Sequence, residues 1–75
     1  MAKKNKYLIK LGEHIRDARK AKGLSQEHLA LQAEIDRSYV GGIERGERNV
    51  SFLNLVKIAT CLECDVSKFT KGIPK

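Results

Sequence analysis

Two helix start signals and one stop signal fall within a single short stretch of the chain, and together they leave little freedom in how it folds there. Ser25 precedes one run of periodic apolar residues, Leu29, Ala30 and Ala33, and Asp36 precedes a second, Val40 and Ile43, with Ile35 between them. At either start a side-chain oxygen can accept from the free amides of a first helical turn. Gly46 follows the last periodic residue, where a left-handed helix end needs no β-carbon. Gln26 to Arg45 therefore reads as two short helices joined by a tight bend, each turning its apolar residues toward a common core.

The flanks extend the helical pattern. Leu8, Leu11, Ile15 and Ala18 recur at helical spacing and predict a first helix from about Tyr7 to Lys22, ended by Gly23. Arg19 falls close to that apolar stripe, where an unpaired guanidinium is costly to bury. Residues 1–6, with Lys3, Lys4 and Lys6, read as a loose basic arm ahead of one domain over 7–75. Past the loop from Gly46 to Val50, Ser51 caps a fourth helix with Phe52, Leu55, Val56, Ile58, Ala59 and Leu62 expected inward and Leu53 pointing elsewhere. A fifth helix is expected from Asp65, carrying Val66, Phe69 and Ile73. These last residues close the core, form with Leu53 the seam of a homodimer, or do both. The fold class is all-α, with five compact helices and the helix-turn-helix motif at 26–45.

Seventy-five residues make one small domain near the lower limit for a core without metal or disulfides. Fifteen Lys and Arg against nine Asp and Glu give a net charge of +6, which suits a polyanionic partner such as nucleic acid or an acidic membrane surface. No long apolar run and no signal-peptide pattern is present, so the expected location is the cytoplasm and no membrane partner is expected. Cys61 and Cys64 form a lone CxxC without nearby histidines, since His14 and His28 lie far off in the chain. Zinc needs about four ligands, and a redox CxxC belongs at a helix start after a strand, so neither metal nor cofactor is expected. Catalysis is not expected either, because no base and orienting partner accompany a nucleophile.

Leu24-Ser25-Gln26, Leu29-Ala30, Ile35-Asp36, Val40 and Ile43-Glu44-Arg45-Gly46, in that order and spacing, resemble the helix-turn-helix of the lambda-repressor-like, Cro-type (XRE) family of DNA-binding regulators. The likeness continues through Leu11-Gly12, Ile15, Arg19 and Gly23 before the motif and Asn49-Val50-Ser51, Leu55 and Lys57-Ile58-Ala59 after it. The run from Asp36 to Arg45, followed by Arg48-Asn49, looks most like the controller proteins of restriction-modification systems. Stand-alone repressors of phages or mobile elements, and antitoxins of toxin–antitoxin pairs, carry similar domains and remain alternatives.

The resemblance implies a transcriptional regulator that binds a palindromic operator in double-stranded DNA as a homodimer, contacts RNA polymerase and takes no small-molecule effector. It places the second motif helix, Arg37 to Arg45, in the major groove, the one groove whose edges distinguish all four base pairs. Arg37, whose planar fork matches guanine O6 and N7, leads the base-contact residues, with Ser38 and Tyr39 beside it. Tyr39 has a competing reading, folded back onto the core. Gln26 matches the family's backbone-binding glutamine, and Arg45, Arg48, Asn49 and Ser51 are the other phosphate-contact residues. In the family the arginine matching Arg19 pairs with the glutamate matching Glu44, which implies a structural ion pair here. Gly41 and Gly42 stand where related repressors often carry further base-reading side chains, and are expected to let the helix backbone lie close to DNA. Glu34 and Glu63 depart from the family at two bends where glycine is frequent, so the turn at Glu34 is expected either to be looser than usual or to carry some backbone strain.

Overall fold

A computed structural model describes residues 5–74. Five helices follow one another, α1 (Lys6–Ala21), α2 (Gln26–Ala33), α3 (Arg37–Glu44), α4 (Phe52–Cys61) and α5 (Ser67–Thr70), with no strand among the described residues. Residues 1–4 of the expected basic arm lie outside the described residues. Asn5 and Lys6 belong instead to the start of α1, because the Asn5 side chain accepts from the amides of Tyr7 at 2.8 Å and Leu8 at 3.3 Å. That cap begins the helix one residue earlier than the periodicity predicts.

Leu11, Ile15 and Ala18 from the apolar stripe of α1 share one buried cluster with residues of every other helix, among them Leu29, Val40, Ile43, Ile58 and Phe69. α1 packs on α3 and α5, and α2 packs on α3 and α4. At 8 residues each, α2 and α3 are too short to be stable alone, so this shared core is what holds the motif together. Ser25 caps α2 through the amide of His28 at 3.0 Å, and Ser51 caps α4 through that of Asn54 at 3.1 Å.

Two expectations about apolar faces change. Phe52 is not inward: it stands 67% exposed beside Leu53 at 72%, because the first turn of α4 projects past the edge of the core. Phe69 is 0% exposed, so it closes the core of its own chain and is removed from any surface seam; Val66 and Ile73 are half-buried around it. α5 is a single turn and starts at Ser67 rather than Asp65. It is tied to α1 by His14, whose Nδ1 lies 2.7 Å from the Phe69 carbonyl oxygen, and by Lys10 Nζ, which donates to the Gly72 carbonyl at 3.2 Å. A carbonyl oxygen only accepts, so Nδ1 is the protonated ring nitrogen of His14.

Of the two alternatives at Glu34, the structure shows the strained one. Glu34 adopts φ 59° and ψ 44°, a left-handed geometry that costs a non-glycine residue about 1–2 kcal/mol. Closure of α2 offsets that cost, since Ile35 N then reaches the Ala30 carbonyl at 3.0 Å. Glu63 repeats the arrangement at φ 55°, with Cys64 N donating to the Ala59 carbonyl at 3.0 Å and its carboxylate paired with Lys22. Cys61 and Cys64 are half-buried free thiols, and burial pushes both above the usual cysteine range. No helix among the described residues is long and apolar enough to cross a membrane.

Candidate nucleic-acid interface

α3 is held in place from behind by Glu44, which is 2% exposed. Its Oε2 accepts from Arg19 Nε at 2.7 Å, and its Oε1 accepts from Arg19 Nη2 at 3.0 Å and from Gln26 Nε2 at 2.9 Å. Arg19 also donates through Nη1 to the Leu24 carbonyl at 2.7 Å, so the buried guanidinium, 8% exposed, is paired and hydrogen-bonded as a buried charge must be. The ion pair implied by the family likeness is therefore present, and it joins α1 to α3. One amide proton of Gln26, the first residue of α2, is spent on Glu44 of α3, and a primary amide has a second proton left to donate to an external acceptor.

In front, the amino end of α3 carries Arg37 and Ser38, both exposed. Among the described residues no carboxylate lies within ion-pair distance of Arg37. Asp36, expected to cap α3, has the extended backbone of a cap but makes no cap hydrogen bond. Its carboxylate instead accepts from the Ser38 hydroxyl. That hydrogen bond above all holds the carboxyl below the usual aspartate range, with the nearby amides of Tyr39 and Ser38 and the charge of Arg48 adding to it.

Tyr39 takes a position between the two readings offered for it. It is half-buried against the core, and its hydroxyl donates to the Asn49 carbonyl at 3.1 Å and stands 3.4 Å from Asn54 Nδ2. Its ring carries the Arg48 guanidinium, 5.1 Å from the centroid. Gly41 and Gly42 are buried, covered by side chains of this same chain. A β-carbon at Gly41 would stand 3.0 Å from Arg45 Nη1 and 3.4 Å from Gln26 Oε1, and one at Gly42 would stand 2.4 Å from Arg48 Cγ. The glycines thus make room for arginines rather than baring the helix backbone.

These contacts bring the residues expected to contact phosphates together as one run, Gln26 to Arg45 across Gly41, then Arg48 across Gly42, then Tyr39, Asn49 and the start of α4. Arg45 is exposed and donates to Glu47 Oε1 at 3.0 Å. Ser51 accepts the Asn54 amide and keeps its own hydroxyl proton to donate outward. Asn54 joins this surface without any mark in the sequence pattern, and the two glycines belong to it in a different way from the close backbone approach expected of them. A Gly-Gly pair inside a helix is a sign of a packing reason, but the sequence does not say which side chains fill the space.

An exposed arginine at the tip of a short helix, braced by a second short helix and flanked by a continuous run of donors, defines a helix-turn-helix DNA-binding regulator. The chain belongs to the helix-turn-helix family whose model matches residues 15–69. Over 72 residues it is 42% identical to the control protein C.MunI of Mycoplasma sp, a match covering 95% of this chain and 97% of that protein. The crystal structure of the restriction-modification controller protein C.AhdI from Aeromonas hydrophila is 53% identical over 83% of this chain and 94% of its own, with a TM-score of 0.81. SinR, a master regulator for biofilm formation solved in complex with DNA, is 34% identical over 81% of this chain and 98% of its own, with a TM-score of 0.78. The family read from the motif is thus the family these comparisons give, and these relatives are regulators rather than enzymes.

Proposed function

We propose that the protein is the controller of a restriction-modification system, a cytoplasmic regulator that binds a nearly palindromic operator as a homodimer. The observation that carries the reading is Arg37, exposed and, among the described residues, without an acidic partner at the amino end of α3, beside a continuous run of phosphate-directed donors. Its fork supplies two hydrogen bonds to guanine O6 and N7, worth about 1–3 kcal/mol of discrimination, with Ser38 and Tyr39 flanking it. Gln26, Arg45, Arg48, Asn49 and Ser51 set the register by gripping phosphates, each neutralised phosphate adding roughly 0.9 to the salt slope. Likeness to C.MunI and C.AhdI supports the restriction-modification setting.

Dimerisation rests on Leu53, with Val66 and Ile73 at the margin, and places two α3 tips roughly 34 Å apart along the duplex. Contact with RNA polymerase would let such a dimer activate as well as repress. Selection from random duplexes followed by footprinting tests the reading. Wild type is expected to protect a two-fold symmetric site, and Arg37→Ala to lose the sequence preference while keeping much of its non-specific binding. An Arg37→Ala protein that protects the same site with the same preference would refute the role of Arg37.

A further inference from the structure

α3 has two adjacent glycines, and the structure treats them differently. At Gly41 the neighbour is the far end of Arg45, a flexible guanidinium that can shift by a few tenths of an ångström to admit a methyl group. At Gly42 the neighbour is the middle of the Arg48 side chain, with Cγ at 2.4 Å, Cβ at 3.4 Å and Cδ at 3.5 Å from where a β-carbon would stand. The Arg48 stem therefore lies in the notch left by the missing side chain. From that notch its guanidinium reaches over the Tyr39 ring, while the Tyr39 hydroxyl is held by the Asn49 carbonyl. Arg48 is drawn from the loop back along α3 and fixed beside the tip that bears Arg37.

We propose that Gly42 is a positioning residue for DNA binding: its missing side chain seats Arg48 on Tyr39 and so presents a second, preorganised guanidinium to the duplex beside Arg37. This deepens the DNA-binding role proposed above and rests on it. An unseated arginine on an exposed loop would have to lose its rotamer freedom on binding, whereas a seated one has already lost it. The helix gives up the reading side chains that Gly41 and Gly42 lack, and gains one that arrives from outside the helix.

The experiment compares wild type, Gly42→Ala, Gly41→Ala, Arg48→Ala and the double variant Gly42→Ala/Arg48→Ala by operator affinity across a range of salt, together with NMR of the DNA-free proteins. Gly42→Ala is expected to weaken operator binding roughly tenfold or more, as Arg48→Ala does, because each removes one charge-assisted contact. Both should lower the salt slope by about 0.9. The double variant should bind no worse than Arg48→Ala alone. Gly41→Ala, with the same gain in helix propensity, meets Arg45 instead of Arg48 and serves as the control in the DNA-free comparison. Without DNA, the Arg48 side-chain protons should be shielded by the Tyr39 ring in wild type and Gly41→Ala and lose that shielding in Gly42→Ala. Gly41→Ala should melt at or above the wild-type temperature, since alanine is the better helix residue, whereas Gly42→Ala must also expel the Arg48 stem and should melt below Gly41→Ala.

Shielding retained in Gly42→Ala, or additive losses in the double variant, would each overturn the proposal. A wild-type protein with no preferred sequence, together with the expected change in shielding, would instead overturn the function and leave Gly42 as the seat of Arg48.

Discussion

Glu44→Ala is the perturbation whose consequence follows most directly from the geometry. The carboxylate takes three hydrogen bonds, two from Arg19 and one from Gln26, and its removal leaves Arg19, 8% exposed, with only the Leu24 carbonyl. An uncompensated buried charge of this kind costs about 3–5 kcal/mol. At roughly 0.05–0.15 kcal/mol per residue, a domain of this length holds only about 4–11 kcal/mol in total. The loss is therefore a large fraction of the whole. For a domain of this size it corresponds to a fall in melting temperature of more than about 12 °C, followed by circular dichroism on heating and in urea. Replacing both partners with apolar residues, Arg19→Met with Glu44→Leu, should recover most of the loss, because no charge is then left buried. Gln26, losing the partner that orients it, should also contribute less to DNA binding in Glu44→Ala than in the wild type. A Glu44→Ala protein within about 1 kcal/mol of wild type would refute the view that this pair is sealed from water.

Two further outcomes are expected. Leu53→Glu, at a site 72% exposed, should leave the fold intact to within about 0.5 kcal/mol and yield monomers by sedimentation; an unchanged mass would remove Leu53 from the dimer seam. Ser38→Ala removes the hydrogen bond that chiefly holds the Asp36 carboxyl down, so its NMR titration midpoint should rise toward the ordinary aspartate value. Since the folded value is the depressed one, the stability Asp36 contributes is full above the unfolded value and is lost as pH falls through the folded one. The Ser38→Ala protein should lose that contribution, and an unmoved midpoint would show that Ser38 does not govern Asp36.

Much of the site is legible in the chain because its parts are local. Ser25 and Ser51 cap the helices they precede, since an N-cap needs only a side-chain oxygen a few residues from a free amide. Asp36 satisfies the same rule in sequence and yet turns to Ser38, because a neighbouring hydroxyl competes for the carboxylate. Phe52 and Phe69 show how periodicity falls short at element ends. It marks which residues share a face, but not whether a neighbouring helix reaches far enough to cover them. Tyr39 is similar: its spacing allows both an outward and an inward pose, and the Asn49 carbonyl together with Arg48 fixes it between the two.

The five-helix order, the motif at Gln26 to Arg45 and the Arg37 tip were legible in the chain alone, because these depend on periodicity, capping and spacing, and the likeness of its motif residues to known regulators implied the family. Only the tertiary structure decided that Phe69 belongs to the core, that Glu44 orients Gln26 as well as pairing with Arg19, and that Gly42 makes room for Arg48. Those facts depend on which side chains meet across helices, and a side chain's nearest neighbours in space are set by packing rather than by the residues beside it in the chain.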